Sequence, residues 1–306
     1  MHRYHLHIGA IHFSIASSTT IDCIERSRFL AYATDEIEPD VSVHIIGVDE
    51  PPLHHRRLTI EERTELTGGF AFPIDRFEVP SWESPLLHDE QVRQRLRDSS
   101  DHKSLVNLEI RMNSVTITDF FKHEIFLYFA QGVEENVVAG RIDPHIFSCF
   151  IYDFDALMIH CSVVDWSGRA AVFLATDEGG KTTAARLCAG GTVLADDQIV
   201  FRRKDDRWFA HGTPWTTFPP EPGPSIPGAF FLLEKADSFS LTRLQSRDLL
   251  SFLWDEQYTQ RFHIPKAHQT RLFDLYRDLI SFAPVYRMCF PVDRVDTKAV
   301  LGCLGR

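Results

Sequence analysis

Ala170-Ala171-Val172-Phe173-Leu174-Ala175-Thr176-Asp177-Glu178-Gly179-Gly180-Lys181-Thr182-Thr183-Ala184-Ala185-Arg186-Leu187 is the stretch on which the reading of this chain turns. Arg169 to Leu174 is almost wholly apolar and bounded by turn residues, as in a strand buried on both faces. Lys181 to Ala189 reads as a helix, stopped by Gly190-Gly191. Thr192 to Ala195 is a short strand that ends in Asp196-Asp197. The order strand, loop, helix, strand outlines a mononucleotide-binding unit.

A phosphate loop needs that context. Backbone N–H groups opening a helix point at the ligand, and the helix dipole favours negative charge. Gly179 and Gly180 allow close backbone approach. Lys181 would reach the β- and γ-phosphates, and the Thr182 hydroxyl would ligate Mg²⁺. Gly179, Gly180, Lys181, Thr182 and Thr183 are the expected nucleotide-binding residues. The motif departs from G-x-x-x-x-G-K-[ST] at Ala175, and Asp177 and Glu178 put acid where phosphate should lie. Asp196 and Asp197 follow at the carboxyl end of a strand. One carboxylate can hold Mg²⁺ and the other can accept a proton from an attacking hydroxyl.

Working outward, Leu157 to Val164 reads as a strand carrying His160 on the face of Met158, Ser162 and Val164, and His145 to Leu157 as a helix running into it. Tyr4 to Ala16 and Ser104 to Asp119 alternate as strands do, and Val41 to Val48 is a β-branched run ending near Pro51-Pro52. Leu86 to Arg97 suits a short polar helix, while Phe120 to Gln131 fits strand or helix. Pro214 to Pro227 holds six prolines and is expected to be a loop or lid. Two amphipathic helices follow Gly228 to Glu234, the second with a stripe of Leu272, Phe273, Tyr276, Leu279 and Ile280. Arg202-Arg203-Lys204 is a basic turn that could neutralise phosphate, and His5 and His7 share one strand face.

The chain has 306 residues, enough for about two structural units. Hydrophobic residues are 44% and charged residues 25%, as in globular proteins. Thirty-two Lys and Arg stand against 43 Asp and Glu, a net charge of −11. That balance disfavours nucleic acid or an anionic membrane as partner. No run of 18 apolar residues exists to span a bilayer. Met1-His2-Arg3-Tyr4-His5 lacks the apolar region of a secretory signal. Six scattered cysteines, none at zinc-ligand or redox spacing, suit reduced thiols in the cytoplasm.

Leu157 to Phe201 resembles the HPr kinase and phosphoenolpyruvate carboxykinase superfamily. The resemblance lies in Met158-Ile159-His160-Cys161-Ser162-Val163, Ala171-Val172-Phe173-Leu174, Gly180-Lys181-Thr182-Thr183 and Leu194-Ala195-Asp196-Asp197. It covers about 45 residues, with looser similarity through His211-Gly212-Thr213-Pro214-Trp215. It implies Lys181 on phosphates, Thr182 and Asp197 on Mg²⁺, Asp196 as base and His160 near the reacting phosphate. The glycine-rich signature of bifunctional HPr kinase/phosphorylases after the Asp-Asp strand is missing, so regulation through HPr is not implied.

The expected fold is α/β: an HPr-kinase/phosphoenolpyruvate-carboxykinase-like P-loop domain over 136–306, with a β-rich accessory region over 1–135 and C-terminal helices. The expected function is ATP-dependent phosphoryl transfer to a hydroxyl, on a Ser of a protein or peptide or on a small metabolite, by a kinase using ATP and Mg²⁺. The alternative is a nucleotide-binding protein without turnover, a pseudokinase with a degenerate loop. Carboxykinase chemistry would need further metal ligands that the sequence does not offer.

Overall fold

The computed structural model describes residues 1–18, 28–48, 89–99, 106–111, 114–130, 151–188, 190–256 and 269–305. Of the helix expected from His145 to Leu157, residues 145–150 lie outside these residues, as do the prolines at 51 and 52; the rest is a 3-10 turn, Ile151–Phe154, leading into a strand that begins at Ala156.

The alternating N-terminal stretch divides into β1 (His2–Ile8) and β2 (Ile11–Ser17), an antiparallel hairpin. Its tight turn holds Gly9 and Ala10, both at positive φ, as two-residue hairpin loops require. β3 (Val41–Val48) lies parallel to β2. β4 (Val106–Arg111), β5 (Ser114–Asp119) and β6 (Glu124–Ala130) complete a six-stranded sheet in the order β1-β2-β3-β6-β5-β4. The ambiguous aromatic stretch is thus a strand. It sits between β3 and β5, where Ile125, Leu127 and Phe129 are buried on one face and Phe126 and Tyr128 on the other. The polar helix is α1 (Glu90–Asp98). Its first turn is capped by the Asp89 carboxylate, which accepts from the Gln91 and Val92 N–H groups.

The second sheet contains β7 (Ala156–His160), β8 (Ser162–Trp166), β9 (Arg169–Leu174), β10 (Thr192–Ala195), β11 (Gln198–Lys204), β12 (Arg207–His211) and β13 (Pro224–Lys235). Their order is β10-β8-β9-β13-β12-β11-β7, and β14 (Ser240–Arg243) and β15 (Val285–Phe290) extend it from β13. Four helices accompany it: α2 (Lys181–Leu187), α3 (Ser246–Glu256), α4 (Gln269–Phe282) and α5 (Thr297–Cys303). The sheet curls, and two pairs of strands consecutive in the chain, β7 with β8 and β10 with β11, lie far apart in its order. The chain crosses between its two parts at Cys161, from β7 to β8, and at Asp196-Asp197, from β10 to β11.

This overturns the α/β P-loop fold expected from the sequence. An α/β fold alternates helices and strands so that helices cover both faces of a parallel sheet. Here fifteen strands stand against five α-helices among the described residues, and most neighbours in the second sheet are antiparallel. Antiparallel neighbours need only turns, such as Ser167-Gly168 between β8 and β9, where a parallel crossover needs a helix. β9 pairs in parallel with β13, and β13 with β15; the helical crossovers of the expected fold are otherwise replaced by hairpins.

β9 is apolar throughout because both its faces are covered. Val172 and Leu174 enter a core shared by the two sheets, with Leu6, Ile15, Val43 and Phe230. Ala171, Phe173 and Ala175 enter a second core with Ala184 and Ala185 of α2, Phe231, Met288 and Phe290. α4 buries Leu272, Leu275, Tyr276, Leu279 and Ile280. Phe273, expected in that stripe, is instead 37% exposed and packs edge-on against Trp254. Among the described residues no helix is long and apolar enough to cross a membrane.

Candidate functional site

The carboxyl end of β9 delivers the loop Ala175–Gly180. The Gly179 N–H donates to the Thr176 carbonyl at 3.0 Å and closes a tight turn. A Cβ at Gly179 would lie 2.5 Å from the Ala175 methyl and 2.9 Å from the Thr176 oxygen. The departure from the phosphate-loop pattern at Ala175 is therefore accommodated by glycine at 179. Gly180, at φ 100°, turns the chain into α2 and leads to Lys181.

Lys181 is 7% exposed, and its ammonium donates to the Ala175 and Thr176 carbonyls at 3.0 Å each. A side chain that belonged to the core would not carry an ammonium there; this one is held inside the curve of the loop. Thr183, on the first turn of α2, is partly buried.

β10 pairs with β8 rather than with β9. Two antiparallel steps make β10 run the same way as β9, so both end on one side of the sheet. The Thr182 hydroxyl there donates to Asp196 Oδ2 at 2.9 Å. Thr217 contributes its hydroxyl to the same oxygen at 2.7 Å, while its N–H reaches Oδ1 at 2.6 Å. The Thr216 hydroxyl also donates to Oδ1, at 3.0 Å. Burial by itself pushes the Asp196 pKa up. The Thr217 N–H and hydroxyl, with the Thr182 and Thr216 hydroxyls, outweigh it and hold the carboxyl below its ordinary range.

Asp197 points elsewhere. Its Oδ1 lies 3.0 Å from His160 Nε2, and Asp177 Oδ1 lies 3.5 Å from His160 Nδ1. The imidazole thus stands between a carboxylate of the loop and one of the Asp-Asp pair. His160 is 35% exposed and Asp197 51%, so both reach solvent. The two chain crossings are joined through backbone: the Cys161 N–H donates to the Asp197 carbonyl at 3.0 Å, and the Ser162 hydroxyl to the Asp196 carbonyl at 3.2 Å. Cys161 itself is buried and burial pushes its thiol pKa up, which leaves no thiolate for nucleophilic chemistry.

The structure thus brings Thr182 to Asp196 and His160 to Asp197 and Asp177, beside Lys181 on the same loop and helix. It leaves out the basic turn. Arg203 pairs with Asp155 and Asp278, and the Arg202 guanidinium donates to the Ala10 carbonyl under the β1–β2 turn. His7 faces His12 across that hairpin, with ring centroids 4.3 Å apart. No group of three His, Cys, Asp or Glu side chains among the described residues is arranged to hold a metal by itself. A magnesium ion bound with nucleotide needs less, because phosphates and water fill most of its octahedron. The Thr182 hydroxyl, oriented by its hydrogen bond to the Asp196 carboxylate, fits that smaller demand.

Thr216 and Thr217 were missed in the sequence. They follow Pro214-Trp215 in a proline-rich stretch, and nothing in their spacing links them to Asp196. No family model matches this chain, and no curated protein does either.

Proposed function

We propose that this chain binds Mg-ATP at the loop 175–183 and transfers a phosphoryl group to a hydroxyl, on a protein Ser or on a small hydroxylated metabolite. The observation that carries this reading is the division of labour in the Asp-Asp pair. Asp196 is buried and saturated by hydroxyl and N–H donors beside Thr182, whereas Asp197 is half exposed and paired with His160. The resemblance to the HPr kinase and phosphoenolpyruvate carboxykinase superfamily supports the same chemistry, though not the α/β fold.

The division favours roles opposite to those implied by the resemblance. A carboxylate with every lone pair engaged is a poor proton acceptor and a poor direct metal ligand, so Asp196 is the group that positions Thr182 on the metal side. Thr182 would ligate Mg²⁺ through its hydroxyl oxygen, held in place by its hydrogen bond to Asp196, and Lys181 would exchange its loop carbonyls for phosphate oxygens. Asp197 would take the proton of the acceptor hydroxyl, with His160 fixing its orientation. Mg-ATP, when bound, supplies the phosphoryl group and the charge that its transfer requires. Positioning and charge neutralisation account for the catalysis.

A second reading, nucleotide binding without turnover, draws on the ammonium of Lys181 being held by its own loop and on the acids at 177 and 178. Transfer of labelled γ-phosphate to Ser peptides and hydroxylated metabolites, with binding measured alongside, separates the two. Binding without transfer to any acceptor favours the second. We place either activity in the cytoplasm, which suits the free thiols of Cys161, Cys188, Cys289 and Cys303.

A further inference from the structure

Four carboxylates, those of Asp177, Glu178, Asp196 and Asp197, surround the loop that is to take a polyphosphate. Lys181 alone opposes them among the residues of the loop and the Asp-Asp pair, and its ammonium already serves two carbonyls. A second cation is needed for the site to favour an anion, and the topology supplies one. β13 runs parallel to β9 with Leu232 opposite Leu174, the last residue of β9. The three further residues of β13 carry the chain past the end of β9, alongside the loop, with Lys235 opposite Phe290 of β15.

Strand alternation sets which way Lys235 points. Phe231 and Leu233 lie on the face that packs against α2, in the core with Ala184, Ala185 and Phe290. Lys235 continues that face. Glu234 lies on the other, 3.7 Å from Arg287. A Cβ at Gly180 would come 3.1 Å from Phe290 Cζ and 4.0 Å from Lys235 Cε. The lysine stem therefore runs beside the Phe290 ring to the residue before Lys181 while its end stays in water. Lys235 is exposed, and no carboxylate among the described residues pairs with it.

We propose that Lys235 is the second phosphate-binding cation of this site, offsetting Asp177 and Glu178. The proposal rests on the phosphate-loop reading and adds to it a residue from a different strand, 54 positions beyond Lys181. The class of ligand it selects is a nucleoside di- or triphosphate, or inorganic polyphosphate, over an uncharged nucleoside.

The test is calorimetry of the full chain with Mg-ATP and with inorganic tripolyphosphate, in wild type, Lys235→Gln, Lys235→Arg, Lys181→Ala and Lys204→Gln. The last removes the same charge at the far end of β11. Loss of one charge-assisted contact should weaken both ligands about 10-fold in Lys235→Gln. Lys235→Arg and Lys204→Gln should stay near wild type, and the salt dependence of binding should flatten in Lys235→Gln and Lys181→Ala but not in Lys204→Gln. If Lys181→Ala weakens binding and Lys235→Gln does not, the role of Lys235 is overturned while the phosphate-loop reading stands. Equal losses in Lys235→Gln and Lys204→Gln would reduce the effect to net charge and overturn it as well. If wild type binds neither ligand, both fall.

Discussion

The Thr182 hydroxyl donates to the Asp196 carboxylate at 2.9 Å, joining the first turn of α2 to the end of β10. β9, which leads through the loop into α2, is separated from β10 in the sheet by β8, so this bond, with those from Thr216 and Thr217, fixes the loop against the Asp-Asp pair.

Replacing Thr217 with Val removes a hydroxyl donor from a buried, ionised carboxylate while keeping the side chain's shape. We expect a loss of about 1–3 kcal/mol in stability, read from urea denaturation at neutral pH. The acid limb should change too. A depressed carboxyl pKa contributes stability that is present above its ordinary value near 4 and is lost as pH falls through the folded-state value. Wild type should therefore lose stability below about pH 4, and Thr217→Val should lose less there because its Asp196 is less depressed.

His211 gives a second pH dependence, at a separate place. Burial, then the Arg202 guanidinium and His7, lower its pKa to about 4. A histidine held neutral in the folded protein contributes stability above about pH 6.5, lost as pH falls towards its folded value. We expect the urea midpoint to fall between pH 7 and pH 4.5 and the fall to be smaller in His211→Gln. His7, also lowered by burial and by His12, contributes in the same direction and should leave a residual slope. An unchanged slope in the variant would show that His211 does not titrate with unfolding.

The Asp-Asp pair should fail in two different ways. Asp197→Asn should retain Mg-nucleotide affinity and lose phosphoryl transfer by about 10²–10⁴-fold, the contribution of a positioned base. Asp196→Asn should instead weaken the Mg²⁺ dependence of binding, because the Thr182 hydroxyl that ligates the cation would lose the charged acceptor that orients it. The reverse pattern would restore Asp196 as base and Asp197 as metal ligand.

Replacing Asp177 and Glu178 together with Ser and Gly should tighten nucleotide binding, more at low ionic strength than at high, since like-charge repulsion is screened by salt. Weaker binding would show that the acids serve the ligand, Asp177 through its contact with His160.

The local site was more legible than the fold around it. Lys181, Thr182, Asp196, Asp197 and His160 could be named because glycines and short apolar runs mark the ends of their elements. An apolar run buried on both faces says only that both faces are covered. It does not give the direction of the neighbouring strands, so Arg169 to Leu174 suited an α/β sheet and the curled, largely antiparallel one equally well. The prolines misled in a similar way. Pro224 and Pro227 lie in β13, the first at its start and the second beside a register shift, the two places where a strand tolerates proline. Thr216, Thr217 and Lys235 reach the site only through tertiary contacts, which no local pattern encodes.

The most direct test is calorimetric titration of Mg-ATP into wild type and Lys181→Ala, with thermal denaturation confirming that both are folded. The phosphate-loop reading requires that wild type bind and that Lys181→Ala bind at least about 10-fold more weakly, as for loss of a charged contact to phosphate. Equal affinities, or no binding by folded wild type, would contradict it.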